Sequence, residues 1–276
     1  MKTLLAGPWF VKTLLAGPWF GELGWEIATW VPTVRAAGRH YERTVVVCQP
    51  GHQYLYQDFA REFVIEHRGG LQDRWMLDWK EHKPQASIRE KYPEADILYP
   101  TKESIYHGAK AYHKYGTETN GVNPEANVVL LHARTERHAE SENRNWAAAN
   151  YDALVSMLHR SHPDTLIFSV GSRKGAAHVE NTGDLRDIPL IVLCQQMHRA
   201  KVIAGPSSGP MHLASFCGLP HVVWTTAERR KAIGGTNRDR YERLWNPLQT
   251  HCTIIDKWDW QPPVEPIYNA VKEYLK

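Results

Sequence analysis

Residues 200–224, AKVIAGPSSGPMHLASFCGLPHVVW, contain the pattern that decides the fold of this chain. The apolar run AKVIAG predicts a short buried strand, and LPHVVW predicts a second one. Between them PSSG ends the first strand and PMHLASFCG predicts a short helix, which Pro210 is suited to begin because no N–H is needed there. Ser207, Ser208 and Gly209 precede this helix, where a hydroxyl or bare backbone can cap it. The free amides and positive dipole end of such a helix form an anion site, usually for phosphate, although an ordinary strand–helix connection has the same pattern.

The run GPSSGPMHLASFCGLP resembles the D-S-G-P-M-H-L-A…G-x-P signature of the lipopolysaccharide heptosyltransferase family, whose members have the GT-B fold. In that family the loop and the helix start hold the diphosphate of a nucleotide-sugar donor. The resemblance therefore implies donor contacts from six consecutive residues: Ser207, Ser208, Gly209, Pro210, Met211 and His212. For His212, packing within the helix is the alternative role. The chain has Ser207 where the family usually has Asp, so the resemblance leaves open both an acidic contact there and heptose as the sugar.

The amino-terminal region repeats itself, since residues 2–10, KTLLAGPWF, recur unchanged as residues 12–20. Only the second copy continues into GELGWE, so it is interpreted as the native first strand and loop, and residues 1–10 as a peripheral duplicated segment. Residues 24–37 then predict a helix, because apolar side chains recur three, four and seven positions apart. Pro32 within this helix predicts a kink.

The loop Gly21-Glu22-Leu23-Gly24 resembles the G-D-x-G/L loop after the first strand of the heptosyltransferases, with Glu in place of Asp. The loop Asp is thought to be the catalytic base in that family, so the resemblance implies this role for Glu22, with Glu26 as a second candidate. Glu22 also lies where open α/β sheets place their ligands. The alternatives are a solvated loop carboxylate for Glu22 and a favourable helix-start charge for Glu26. Gly21 and Trp25 are expected on the acceptor side.

A polar, turn-rich stretch at residues 117–126, TETNGVNPEA, predicts the linker between two domains. Residues 127–134, NVVLLHAR, then begin a second series of strands, and R-N-W-A-A-A-N-Y-D-A-L resembles the sequence after the first strand of the family's second domain. A guanidinium matches phosphate well because it presents paired donors. The candidates for diphosphate or acceptor contacts are Arg134 on the donor side, Arg144 on the acceptor side, Arg137 and Asn145, with a solvated charged loop as the alternative.

Two later turns supply further donor-side candidates. Residues 165–175, TLIFSVGSRKG, predict a strand followed by a turn in which Ser172 and Arg173 are suited to a phosphate. In related enzymes the loop after the second strand of the signature flanks the base and ribose, so the resemblance implies contacts from Thr225, Thr226 or Glu228. Elsewhere, residues 102–116 predict a helix.

The composition is that of an ordinary globular protein, with 276 residues, 42% hydrophobic and 23% charged. A net charge of +3 is too small to imply nucleic acid by itself. Four widely spaced cysteines without a C-x-x-C motif indicate reduced core thiols and predict a cytoplasmic protein. No apolar run reaches the roughly 20 residues that span a bilayer, so no integral membrane segment is expected. The scattered histidines predict no metal site, and no cofactor is expected besides the nucleotide sugar as co-substrate.

Strands and helices alternate on both sides of the linker, which predicts an α/β protein of two Rossmann-like domains facing across a cleft, the GT-B arrangement. The expected parts are residues 11–120 as the acceptor-binding domain, 121–262 as the nucleotide-sugar-binding domain, and 263–276 as a carboxyl-terminal helix. The resemblance implies a glycosyltransferase, of hexosyl or heptosyl type, that moves a sugar from a nucleoside-diphosphate sugar to an acceptor hydroxyl in glycan or lipopolysaccharide-type assembly.

The acceptor stays open among a glycan, a lipid-linked molecule and DNA, and peripheral association with a membrane is compatible with this function. Two alternatives remain. One is a phage-type glycosyltransferase acting on hydroxymethylpyrimidine bases of DNA, and the other is a non-catalytic nucleotide-sugar-binding protein.

Overall fold

The computed structural model describes residues 12–66, 82–116, 127–135, 144–228 and 235–275. The chain divides into two compact units, Met1–Ala111 and Tyr112–Lys276, called unit 1 and unit 2 below. This division falls before the predicted linker at residues 117–126, which lies outside the described residues, as does the duplicated segment at residues 1–10.

Unit 1 is built on a parallel sheet with the strand order β3-β2-β1-β4. The order places the first strand in the interior, so β1 and β2 are neighbours and end at the same edge. Buried Leu15, Val45 and Val47 form its core with Ile88. The strands are β1 (Thr13–Ala16), β2 (Arg43–Cys48), β3 (Glu62–Ile65) and β4 (Asp96–Leu98).

The helix predicted after β1 begins as α1 (Leu23–Trp25), passes through a π-helical segment (Glu26–Trp30) and continues as α2 (Val31–Gly38). The Val31 amide donates to the Glu26 carbonyl, five residues back. The change from π to α geometry therefore occurs one residue before Pro32, whose missing N–H would interrupt a regular helix. The hydrogen-bond register thus changes directly before Pro32, where the sequence predicts a kink.

The remaining helical segments of unit 1 are short: a 3-10 turn (His52–Leu55), α3 (Ala86–Lys91) and α4 (Lys102–Tyr106). The predicted helix over residues 102–116 is wrong beyond Tyr106. The chain turns at Gly108, where a Cβ would lie 2.5 Å from the Ser104 carbonyl oxygen.

Unit 2 is built on a second parallel sheet with the order β12-β11-β10-β5-β7-β9, beside a small antiparallel ribbon of β6 and β8. This is the order of a doubly wound dinucleotide-binding sheet, with β5 as its first strand. The strands are β5 (Val128–Leu131), β6 (Ala133–Arg134), β7 (Leu166–Gly171), β8 (Ala176–Ala177), β9 (Gly183–Arg186), β10 (Val202–Pro206), β11 (His221–Trp224) and β12 (Cys252–Ile255).

The helices of unit 2 are α5 (Ala148–Ser161), α6 (Leu190–Arg199), α7 (Gly209–Cys217), α8 (Asn237–Arg240) followed by a π-helical segment (Tyr241–Trp245), and α9 (Val264–Lys272). Helix α9, predicted as a separate terminal element, contributes Ile267 and Val271 to the same core as Trp146, Tyr151 and Trp224. Trp146 and Trp224 lie 5.0 Å apart between ring centroids. Of the four free cysteines, Cys48, Cys194 and Cys217 are buried, as expected for core thiols, whereas Cys252 is only partly buried.

Candidate functional site

The site in unit 2 lies at the carboxyl ends of β5 and β10, which are adjacent in the sheet. The connections that leave these two strands run in opposite directions, and doubly wound sheets bind ligands in the crevice at such a point. His132 directly follows β5, and its amide donates to the Ala204 carbonyl over 2.9 Å. Ser207 directly follows β10. The signature loop therefore begins at the ligand-binding edge of the sheet.

Helix α7 starts at this edge with its amino end uncapped by any side chain of the described residues. Ser208 is the N-cap residue, yet its hydroxyl donates to the Pro206 carbonyl over 2.8 Å and does not accept from the helix. The first helical bond runs from the His212 amide to the Ser208 carbonyl, so the Gly209 and Met211 amides precede it. Amides in the first turn have no acceptor within their own helix, which suits them to an anion.

His212 lies in the first turn of α7, in contact with Trp245 and Ser207. Its ring stacks on Trp245 with centroids 4.1 Å apart and planes 3° from parallel. Nε2 lies 3.3 Å from the Ser207 hydroxyl, while Nδ1 is buried without a hydrogen-bond partner among the described residues. Burial, and then the charges of Arg240 and Arg144, hold the pKa of His212 well below its usual value. The imidazole is thus a neutral group in a positive field.

The two arginines that act on His212 both lie over aromatic rings. Arg144 lies 5.1 Å from the Trp260 ring centroid, and Arg240 lies 5.6 Å from that of Trp245. Stacking on a ring keeps a guanidinium oriented without using all of its donors. The predicted acceptor-side residue Arg144 therefore contributes its charge to the same neighbourhood as the start of α7.

The other predicted donor contacts on the β5 and β7 side have protein partners. Arg134 is buried and donates to the Asn145 side chain over 2.9 Å. Ser172 accepts from the Gly175 amide over 3.0 Å, closing the turn after β7. Arg173 is exposed and lies 3.3 Å from Asp184 in an ion pair. Protein contacts thus account for these three side chains, while Arg137 lies outside the described residues.

The remaining predicted contacts differ in their accessibility. Met211 is fully buried and Thr225 nearly so, and the Thr225 hydroxyl has no hydrogen-bond partner among the described residues. Glu228 is exposed, and its amide donates to the Thr226 hydroxyl over 3.2 Å. Ser207, Ser208, Gly209 and Pro210 are partly exposed. The accessible part of the predicted donor site is therefore the loop before α7.

Sequence reasoning missed His132 and Trp245 as members of this neighbourhood. The His132 Nδ1–H donates to the Val170 carbonyl over 3.0 Å, which leaves Nε2 as the acceptor atom of the ring. Its position directly after a buried strand was a signal that could have identified it. Trp245 is 33 residues from His212 in sequence, and no local pattern connects the two.

In unit 1 the two predicted carboxylates differ sharply in their surroundings. Glu22 is partly exposed and is the N-cap residue of α1, and its carbonyl accepts from the Glu26 amide over 3.1 Å. Glu26, one turn later, has no exposed surface. Tyr56 donates to its Oε1 over 2.7 Å, and its Oε2 lies 2.7 Å from His52 Nδ1. A carboxylate with both oxygens occupied and no access to solvent is poorly placed to meet a substrate directly.

The groups around Glu26 respond to its charge. Burial disfavours a charged His52, but the charge of Glu26 and the hydrogen bond to it outweigh burial and raise the pKa of His52. Burial, with a smaller effect from Glu26, raises the pKa of the Cys48 thiol to about 12. Cys48 is the last residue of β2, and His52 begins the 3-10 turn that follows.

Packing accounts for the two other predicted acceptor-side residues of unit 1. A Cβ at Gly21 would lie 2.9 Å from the Trp19 ring, so only glycine fits there. Trp25 is buried and meets the Tyr106 ring edge-on, with centroids 5.8 Å apart. The Phe20 amide donates to His82 Nδ1 over 3.3 Å, and this contact holds the loop before Glu22.

The buried histidines of unit 2 predict a loss of stability in mild acid. Burial lowers the pKa of His132 and of His221 to about 4, and the pKa of His212 is also lowered. In the unfolded chain these groups titrate near 6.5, so the unfolded state takes up protons first as the pH falls. We expect the stability of unit 2 to be complete above about pH 6.5 and to fall towards pH 4, by about 1.4 kcal/mol per pH unit for each histidine. Urea unfolding at several pH values measures this, and a constant midpoint from pH 7 to 5 would contradict it.

Within the described ranges, no group of three or more His, Cys, Asp or Glu side chains is placed to hold a metal ion. The same part of the chain contains no helix long and apolar enough to cross a membrane.

Comparison with known proteins identifies similarity in structure. No model of a known protein family matches the sequence, and no curated protein sequence matches it. The structure is similar to that of the glycosyl transferase family 9 protein from Veillonella parvula DSM 2008, with a TM-score of 0.59 and 12% identity over 96% of this chain and 97% of that one.

Two structures from E. coli are similar over the same share of the chain. ADP-heptose lps heptosyltransferase II has a TM-score of 0.56 and 14% identity over 96% of this chain and 98% of its own. Heptosyltransferase WaaC, solved with ADP, has a TM-score of 0.55 and 11% identity over 96% of this chain and all of its own. The resemblance to the heptosyltransferases is thus confirmed at the level of the fold, and the chain has the GT-B fold of these glycosyltransferases.

Proposed function

We propose that the protein is a glycosyltransferase that moves a sugar from a nucleoside-diphosphate sugar to an acceptor hydroxyl, with unit 2 binding the donor. The observation that carries the proposal is the uncapped start of α7 at the ligand-binding edge of its sheet, beside Arg144 and Arg240. The similar structure of WaaC was solved with ADP, which supports the proposal that unit 2 binds a nucleoside diphosphate.

The chemistry that this arrangement supports is stabilisation of the leaving group. Negative charge grows on the diphosphate as its bond to the sugar breaks. The first amides of α7 and the helix dipole are oriented before the reaction, so they stabilise this charge without having to reorganise. Two guanidinium groups add positive charge nearby. We propose that these groups perform the role without a metal ion.

Unit 1 contributes the acceptor side in this proposal, at the carboxyl ends of β1 and β2. At this edge the Glu22 carboxylate is partly exposed, and the Glu26 carboxylate is buried. Glycan or lipopolysaccharide-type assembly in the cytoplasm is the proposed context, with a sugar or lipid-linked hydroxyl as the acceptor. Peripheral association with a membrane would fit a lipid-linked acceptor.

A panel of ADP-, GDP-, UDP-, CMP- and dTDP-sugars tests the proposal. We expect one nucleotide class to stabilise the protein, by about 2.7 kcal/mol at a concentration one hundred times its Kd, and to release the free nucleotide on incubation. No stabilisation by any member would contradict donor binding. Binding without transfer or hydrolysis would favour the non-catalytic alternative, and duplex binding that weakens steeply with salt would favour the DNA-base alternative.

A further inference from the structure

The buried pair formed by Glu26 and His52 has the geometry of an acid–base dyad. Glu26 Oε2 accepts from His52 Nδ1 over 2.7 Å, and Tyr56 occupies the other carboxylate oxygen. Glu26 is fully buried, whereas the His52 side chain keeps 19% of its surface exposed. Because Nδ1 faces Glu26, Nε2 is on the far side of the ring. Nε2 makes no hydrogen bond to a described residue. It also differs from the fully buried nitrogen and oxygen atoms that have no hydrogen-bond partner, since it is not one of them.

The dyad lies at the edge of the sheet where open α/β folds bind their ligands. His52 comes four residues after the end of β2, and Glu26 is one helical turn after Glu22, which follows β1. β1 and β2 are neighbouring parallel strands, so the two loops meet at this edge. The imidazole is therefore in the same part of unit 1 as the partly exposed carboxylate of Glu22.

We propose that His52, oriented by Glu26, takes the proton from the acceptor hydroxyl in the glycosyl transfer proposed above. This inference rests on that function and names the residue that performs one of its steps. Glu26 is a positioning residue, because it reaches the reaction only through His52. The resemblance to heptosyltransferases assigns the same step to Glu22. The two assignments therefore make opposite predictions about which substitution removes the pH dependence of the rate.

A buried carboxylate bound to Nδ1–H selects the tautomer in which Nε2 carries a lone pair. It also stabilises the imidazolium that forms when Nε2 accepts a proton. In the proposed step the acceptor oxygen bonds to the sugar carbon as the bond from that carbon to the diphosphate breaks. The hydroxyl proton moves to Nε2, the electron pair of the broken bond leaves with the nucleotide, and His52 later releases the proton to solvent. Atoms and charge are thus balanced without a further reactant.

The protonation of His52 supports this role. Among the described residues, Glu26 from the π-helical segment faces His52, Tyr56 after the 3-10 turn donates to Glu26, and Cys48 at the end of β2 is affected by the charge of Glu26. The pKa of Cys48 is raised to about 12 by burial, so its thiol is neutral. Glu26 thus supplies the charge that raises the pKa of His52. A general base is most effective when its pKa lies near the working pH. A large fraction of it is then unprotonated, and it still has a useful driving force for taking up the proton.

The test is the pH dependence of kcat/KM for nucleotide-sugar turnover, measured for the full chain and for His52→Gln, Glu26→Gln and Glu22→Gln. For the unchanged protein we expect the rate to rise with pH through an apparent pKa above 6.5. His52→Gln should abolish this rise and lower kcat/KM by about 10²–10⁴-fold. Glu26→Gln should move the rise to lower pH, because burial then acts on His52 without an opposing charge. Glu22→Gln should keep the rise whatever its effect on the rate.

His40→Gln is the matched control, because His40 is exposed in the turn after α2 and should leave the profile unchanged. A rise that survives in His52→Gln but disappears in Glu22→Gln would overturn the proposal while leaving the glycosyltransferase function standing. Failure of every nucleotide sugar to bind or turn over would instead contradict the function.

Nitrogen-15 spectra of the histidine side chains test the dyad without any turnover. We expect His52 at pH 8 to carry its proton on Nδ1, and its pKa to lie above 6.5 and to fall in Glu26→Gln. A proton on Nε2 at pH 8, or a pKa that does not respond to Glu26→Gln, would overturn the proposal by itself.

Discussion

Replacement of Ser208 by aspartate is expected to weaken binding of the nucleoside-diphosphate sugar by about 10²-fold or more, because like charges brought together at an interface cost several kcal/mol. Ser208 is the N-cap residue of α7, and its hydroxyl does not cap the helix. An aspartate there can accept from the first amides of α7, the donors that the diphosphate would use. Isothermal titration calorimetry with the donor found in the nucleotide panel measures the loss.

The same substitution should not damage the protein, and this separates lost binding from lost folding. Aspartate is among the best N-cap residues, and its charge is favourable at a helix start, so Tm should stay the same or rise. Gln85→Asp is the matched control, since it makes the same kind of change at the N-cap of α3 in unit 1. It should leave donor affinity unchanged. Unaltered affinity in Ser208→Asp would show that the start of α7 does not bind the donor.

Replacement of Asp58 by alanine is expected to lower the free energy of unfolding by about 3 kcal/mol. Arg35 of α2 is buried, and its Nε donates to Asp58 Oδ2 over 2.8 Å while Nη2 donates to Oδ1 over 3.0 Å. Nη1 donates to the Ala111 carbonyl over 2.8 Å. Removing Asp58 takes a counter-charge and two hydrogen bonds away from a buried guanidinium. The expected cost is at the lower end of the range for buried pairs because Asp58 is itself partly exposed.

Urea unfolding measures this change as a lower midpoint with an unchanged slope. Glu62→Ala is the control, because Glu62 pairs with Arg43 on β2 while both side chains keep at least 36% of their surface exposed, although it also loses a hydrogen bond from Tyr92. Exposed pairs contribute about 0–1 kcal/mol, so this variant should differ little from the unchanged protein. Equal losses in the two variants would show that burial of Arg35 does not determine the effect.

Much of the fold could be predicted because its elements are encoded locally. The runs TVVVC and VVLL, and the strands on either side of α7, are apolar enough to be buried on both faces, as parallel strands require. The prediction failed over residues 107–116, where a helical pattern of side chains continues but the backbone turns at Gly108. The local spacing of apolar side chains does not show at which residue tertiary packing in unit 1 will end a helix.

The start of α7 could be singled out as a candidate site for the same reason. Ser207, Ser208, Gly209 and Pro210 are consecutive, so their effect on the helix end depends on the local backbone alone. Arg134 and Arg173 were equally plausible in sequence, but the structure gives them Asn145 and Asp184 as partners. Which of several cations faces a ligand depends on the side chains that other strands bring near, and no local pattern reports this.

The sequence by itself determined the alternation of strands and helices, and it predicted an anion site at the loop before α7, because both follow from neighbouring residues. Only the tertiary structure decided the burial and the hydrogen-bond partners of Glu26. In sequence it has the position of an ordinary helix-start charge, and its partner His52 is 26 residues away. The two meet because β1 and β2 pair in parallel and end at one edge. A buried charge is stable only when it is paired and hydrogen-bonded, and that partner exists only once the sheet has formed.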